Sequence, residues 1–171
     1  MEGLRKINAL DLNENAIKLI GKEWMLICAG SIKTKFNMLT ASWGGVGWLW
    51  ERPVSFIFIR PQRYTFEFTE KEEYYTISFF DEKYKDALML CGTKSGRDID
   101  KVKASGLTPF ATENENTAFK EARIVLECKK LFVTRLNESD FIIPEIAQKN
   151  YPSKDFHQMY ISEIVNVWVK E

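Results

Sequence analysis

The sequence predicts a mainly β, α+β protein: a β-barrel with a few short helices appended to it. Three observations carry that expectation. Short runs rich in β-branched and aromatic residues, Trp24 to Ala29, Val54 to Ile59 and Tyr74 to Phe80, are bounded by Gly, Pro or charge and read as strands. Two longer extended segments follow, Ala118 to Leu136 and His157 to Lys170. Helical spacing occurs only in short stretches, too few to alternate with strands as a doubly wound fold requires.

The elements follow in chain order. Met1 to Lys6 leads into the acidic, polar Asp11 to Glu14 with no apolar signal core, and Asn13 to Ile20 has helical spacing. The run Trp24 to Ala29 is apolar almost throughout, which implies burial on both faces, as for Val54 to Ile59 and Tyr74 to Phe80. Asn37 to Gly45 mixes hydroxyls, small residues and glycine and reads as a ligand loop. Helical spacing returns over Pro61 to Lys71, Lys83 to Leu90, Ile99 to Ser105 and Asp140 to Lys149, while the polar Ala111 to Thr117 reads as a surface loop. In the last segment His157, Met159, Ile161, Glu163, Val165, Val167 and Val169 share one face by strict alternation. Glu163 on that apolar face needs a partner if it is buried.

A chain of 171 residues fits one domain, residues 1–171, able to bury roughly 70% of its unfolded surface without staples. Lys plus Arg and Asp plus Glu both count 24. Zero formal charge argues against nucleic-acid binding, and any anion site must be local. No apolar run is long enough to span a membrane. Cys28, Cys91 and Cys128 are odd in number and far apart, so neither a disulfide framework nor a metal-ligand spacing is present, and the expected compartment is a reducing cytoplasm.

Chemistry concentrates in three segments. In Asn37-Met38-Leu39-Thr40-Ala41-Ser42-Trp43-Gly44-Gly45, Asn37, Thr40 and Ser42 offer polar groups and Trp43 an aromatic wall, while Ala41 leaves room for close backbone approach. Arg60-Pro61-Gln62-Arg63-Tyr64-Thr65 lies where a buried strand gives way to a helix, an arrangement suited to an anion. Gly92 to Lys103 adds Lys94, Ser95, Gly96 and Arg97 around a second curl of backbone, with Asp98 expected to cap the helix that Gly106 ends. Neither a nucleotide P-loop nor a Rossmann fingerprint is present. Each segment also has a plain reading: a basic helix face, a polar turn, a tryptophan in a core or a subunit interface. His157, the only histidine, lacks partners for a metal site, and no serine lies in a nucleophile elbow.

In this order and spacing the three segments resemble the flavin reductase-like family of FMN-binding split β-barrels, over roughly residues 15 to 170. The resemblance implies FMN held by Asn37, Leu39, Thr40, Ala41, Ser42, Trp43, Arg60, Arg63, Tyr64, Thr65, Lys94, Ser95, Gly96 and Arg97, with FMN preferred over FAD. It places His157 near the flavin and the nicotinamide of NADH or NADPH, as the candidate catalytic residue. Here Ser162 stands where the family's pattern has Gly, between His157 and Glu163. The resemblance also implies a homodimer, which surplus tryptophans would accommodate. Three functions stay open: an NAD(P)H-dependent flavin reductase, a flavoredoxin-like carrier reduced by a partner protein, and a flavin-binding protein without turnover.

Overall fold

The computed structural model describes residues 3–171. Its strands are β1 (Leu4–Ile7), β2 (Met25–Gly30), β3 (Phe36–Ala41), β4 (Gly44–Leu49), β5 (Arg52–Ile59), β6 (Tyr74–Phe79), β7 (Pro109–Ala111), β8 (Thr117–Phe119), β9 (Ile124–Arg135) and β10 (Gln158–Lys170). The helices are α1 (Ala16–Lys18), prolonged by a π-turn to Glu23, then α2 (Tyr64–Lys71), α3 (Lys85–Thr93), α4 (Lys101–Ser105) and α5 (Pro144–Asn150).

All pairings are antiparallel, and the main sheet runs β3-β2-β6-β9-β10-β5-β4. Along one side of β10 the first half pairs with β5 and the last residues pair with β1. Strands β3 and β4 end the sheet order, yet only Ser42 and Trp43 separate them in the chain. Three Cα steps reach at most about 11 Å. The sheet therefore rolls until its two margins nearly meet and stays open along that seam, as a split barrel. A Cβ added to Gly44 on β4 would lie 2.8 Å from Cε of Met25 on β2, which shows how closely the margins approach.

The predicted burial on both faces is present in β2, all six of whose residues are buried, and in β6 beyond Tyr74, whereas Phe56 and Phe58 of β5 stay half-buried. Alternate residues feed two cores. Ile27, Leu39, Ile57, Tyr75, Ile77 and Leu126 belong to one; Leu26, Cys28, Met38, Leu88, Phe119 and Val125 belong to the other. No helix among the described residues is long and apolar enough to cross a membrane.

Several boundaries differ from expectation. Asn37 to Gly45 is no loop: it is β3, a two-residue link and the start of β4. Its glycines hide a strand signal because they pack on a neighbour, with added Cβ atoms 2.6 Å from the Phe56 carbonyl at Gly44 and 3.5 Å from the Phe56 ring at Gly45. The 118–136 segment divides at a turn into β8 and β9. The 13–20 helix shrinks to α1 and its π-turn, and Pro61 stays outside α2 in a turn closed by Arg63 N–H on the Arg60 carbonyl at 3.0 Å.

Residues 111–117 form the tip of the β7–β8 hairpin, a surface loop with Glu113, Asn114 and Glu115 exposed as expected, while Thr112, Asn116 and Thr117 are buried. Glu127, fully buried on β9, accepts hydrogen bonds from Asn114 Nδ2 at 2.9 Å, Asn116 Nδ2 at 2.8 Å and Asn166 Nδ2 at 2.7 Å, and from the Thr112 hydroxyl. Four neutral donors satisfy the buried carboxylate and fasten the hairpin to the barrel. Glu163 has its partner in Arg52 Nη1 at 2.8 Å.

Candidate functional site

The seam between the sheet margins is also where the candidate residues gather. A cleft of about 210 Å³ lies along the outer edge of β3, lined by Leu39, Thr40, Ala41, Ser42 and Trp43 on one side and by Phe58, Ile59 and His157 on the other. A second cleft, about 190 Å³, is formed where α2 begins beside the turn after α3 and is lined by Asn37, Arg63, Thr65, Ser95, Gly96 and Lys101 among others. Arg60 and Arg63 line the first cleft, and Arg63 borders both. Together they reach the roughly 300–1,000 Å³ usual for small-molecule sites. No Asp or Glu lines either one.

The two arginines of Arg60-Pro61-Gln62-Arg63 have different fates. Arg60 donates to Asp155 and, through Nη2, to the Asn150 carbonyl at 2.8 Å, and its guanidinium lies 5.0 Å from the Tyr151 ring centre. It is committed to the segment that follows α5. Arg63 makes no side-chain hydrogen bond or ion pair among the described residues, and its Nη2 is buried without a partner. Burial first, and then the neighbouring Arg60 charge, lowers its pKa from the ordinary arginine value. A buried guanidinium nitrogen with no acceptor is costly unless something outside the chain accepts from it.

Lys101 strengthens the same field and was not among the residues singled out by sequence. It is the first residue of α4, capped by Asp100, whose side chain accepts from Lys103 N–H; the expected cap Asp98 is exposed instead. The Lys101 side chain is buried, donating to the carbonyls of Met38 at 2.7 Å and Cys91 at 2.8 Å. Burial, opposed by Cys91 and reinforced by Arg63, lowers its pKa to about 8. The Asp-x-Asp-Lys pattern was visible in sequence, but nothing in it said that the lysine turns inward.

The remaining residues divide cleanly. Asn37 Nδ2 donates to Thr65 Oγ1 at 2.8 Å, both side chains buried, and Gly96 sits so close that an added Cβ would lie 2.0 Å from Asn37 Oδ1. Thr40 spends its hydroxyl on the Leu88 carbonyl at 2.6 Å, so on this strand the backbone edge rather than that side chain faces a ligand. Tyr64 accepts from Lys35 Nζ at 2.8 Å and carries the Arg97 guanidinium 4.5 Å from its ring centre. Arg97 is exposed and paired with Glu67, outside both clefts; Lys94 and Ser95 line the second. At the far end of the first cleft, Trp43 and His157 have ring centres 5.3 Å apart, with Phe58 edge-on to the histidine at 6.4 Å. Burial, then the Arg60 charge, lowers the His157 pKa to about 4, so the imidazole is neutral at ordinary pH.

The arrangement can hold an elongated ligand with an anionic end in the cationic cleft and a flat body along β3. The family model for the flavin reductase like domain matches residues 20–171. No curated protein matches the chain. Among solved structures, an FMN-binding protein from Thermus thermophilus with bound p-hydroxybenzaldehyde is similar at 20% identity and a TM-score of 0.70, covering 98% of this chain and 82% of its own. Flavoredoxin of Desulfovibrio vulgaris (Miyazaki F) is similar at 20% identity and 0.68, covering 96% and 77%. An NADH:FAD oxidoreductase from Streptomyces globisporus, in complex with NAD and FAD fragments, is similar at 12% identity and 0.63, covering 85% and 73%. At these identities the likeness is one of fold.

Proposed function

The chain belongs to the flavin reductase like domain family, and from that premise we propose that it binds FMN without a covalent link and works as an NAD(P)H-dependent flavin reductase-type oxidoreductase. The observation that carries the FMN reading is Arg63, whose guanidinium borders both clefts and has a buried Nη2 with no partner. Arg63 and Lys101 would hold the phosphate, with Asn37, Thr65, Lys94, Ser95 and Gly96 around it. Leu39 to Trp43 would hold the ring by its polar edge. FMN supplies hydride and electron transfer when bound, so the protein's part is to bind, orient and exclude water.

NADH or NADPH would approach beside His157 and Trp43. Under a second reading, supported by the likeness in fold to a flavoredoxin, the chain is a carrier reduced by a partner protein. Stopped-flow mixing of FMN-loaded protein with NADH or NADPH under anaerobic conditions separates the two. A reductase bleaches the flavin band rapidly with at least one donor; bleaching by neither leaves the carrier.

We also propose a homodimer formed through the face of β4 and β9. Trp50 and Phe132 stand 51% and 45% exposed there, with ring centres 6.2 Å apart. Trp50 and Glu51, at the tip of the β4–β5 hairpin, have φ of 52° and 59°, a conformation non-glycine residues hold only at a cost. Three buried free cysteines support a reducing, cytoplasmic setting.

A pH dependence follows from the phosphate assignment. Lys101 has a folded pKa below its unfolded value, so its neutral form is favoured in the free protein above about pH 8. Bound phosphate favours the charged form. FMN affinity is therefore expected to be level from about pH 7, where the phosphate is already a dianion, to about pH 8, and to fall above that by roughly tenfold per unit while one proton is being taken up. Riboflavin affinity, measured by fluorescence quenching over the same range, should stay level; a parallel decline of both ligands would remove Lys101 from the phosphate site.

A further inference from the structure

The chain between β9 and β10 ends at His157, which lines the ring cleft. It packs Phe141, Ala147, Tyr151 and Phe156 into a small core of their own and is tied to the barrel by Arg60. Inside this segment the Tyr151 hydroxyl lies 2.8 Å from His157 Nδ1, and the two rings meet edge-to-face at 5.5 Å and 84°. His157 Nε2 makes no hydrogen bond among the described residues, and the ring lines the cleft.

One hydrogen bond joins two groups that each carry one proton, so its direction can be worked out by asking what is left over. If the imidazole donates from Nδ1, the tyrosine proton is stranded: Tyr151 is only 6% exposed and its hydroxyl makes no other hydrogen bond. If the hydroxyl donates, the single donor left is Nε2–H, and that nitrogen borders the open cleft where a ligand or water can accept. The second arrangement strands nothing. We propose that Tyr151 is a positioning residue that sets the tautomer of His157: its hydroxyl donates to Nδ1, so the neutral ring carries its proton on Nε2 and offers it to the cleft.

The groups facing the ring agree with this. Arg60 and Arg63 oppose a charged imidazole and Asp155 favours one, while burial outweighs all three. A neutral donor flanked by Trp43 and Phe58 suits the oxygen of a flat, uncharged carbonyl or carboxamide compound, and the opposite tautomer would present a lone pair and repel it. The ligand class rests on the FMN reading; the tautomer does not.

Because His157 is the only histidine, long-range proton–nitrogen correlation spectra of the isotope-labelled full chain report one imidazole, with and without FMN. The Nε2–H tautomer is expected in wild-type protein at neutral pH, and the Nδ1–H tautomer would overturn the proposal whatever the fate of any variant. In Tyr151→Phe, loss of a donor to the neutral ring should raise the protonation midpoint of His157 by roughly half to one pH unit. An unchanged midpoint in folded Tyr151→Phe would also overturn it. Protein that binds no FMN yet gives both expected spectra would retire the FMN reading and leave the tautomer assignment standing.

Discussion

Replacing Arg63 by methionine is expected to weaken FMN binding by about 1.5–3 kcal/mol, the usual worth of a hydrogen bond to a charged group, which is roughly 10- to 150-fold in affinity. Riboflavin, which lacks the phosphate, should bind the variant as it binds wild type. Methionine keeps the apolar stem that packs beside α2 and removes only the head. Since that head pairs with nothing among the described residues and one of its nitrogens is buried there without an acceptor, the ligand-free variant should melt at or above the wild-type temperature. Isothermal titration with both ligands and a thermal melt check all three statements. Equal losses for FMN and riboflavin would mean that Arg63 shapes the site through folding.

Gly96→Ala should act as strongly by a different route. An added Cβ would stand 2.0 Å from Asn37 Oδ1 and 3.0 Å from Asn37 Cγ, with Tyr64 at 3.4 Å. Asn37 cannot simply swing aside, because its amide is tied to buried Thr65 at 2.8 Å. Either the turn after α3 or the start of β3 must shift, at about 1–3 kcal/mol for such overpacking. Melting should fall by several degrees at this chain length, and FMN binding should drop about tenfold or more as Ser95 and Lys94 move off the cleft. Gly21→Ala, where nothing lies within 4 Å of the added atom, is the control. A Gly96→Ala protein that melts and binds FMN like wild type would show that the turn does not shape the site.

What sequence revealed and what it concealed can be traced residue by residue. Strands β2 and β6 were legible because both of their faces are buried, and β5 because the half-buried Phe56 and Phe58 keep its outer face apolar too. Strand β4 was not, because Gly44, Gly45 and Gly47 make room for Phe56 and thereby erase the β-branched signature. The hairpin tip at 111–117 is the surface loop its polarity suggests, but the buried contacts of Thr112 and Asn116 with a carboxylate on β9 leave no local trace. The same limit applies within the site. Arg60 and Arg63 are one residue type three positions apart, and Asp155 and the Asn150 carbonyl, far along the chain, separate the paired cation from the one without a partner among the described residues. Lys101 looked like any lysine on a short helix; its burial follows from the packing of α4 on β3 and α3. The order of the three polar segments was readable, while the division of labour among their cations required the fold.

FMN is proposed to occupy the two clefts with its phosphate on Arg63 and Lys101. The most direct test is a titration of flavin-free protein with FMN, riboflavin and FAD, followed by quenching of flavin fluorescence. FMN should saturate at one per chain, bind more tightly than riboflavin by at least about 1.5 kcal/mol, the worth of one charged hydrogen bond, and bind more tightly than FAD. Absence of quenching by FMN, or riboflavin binding as tightly as FMN, would contradict that placement.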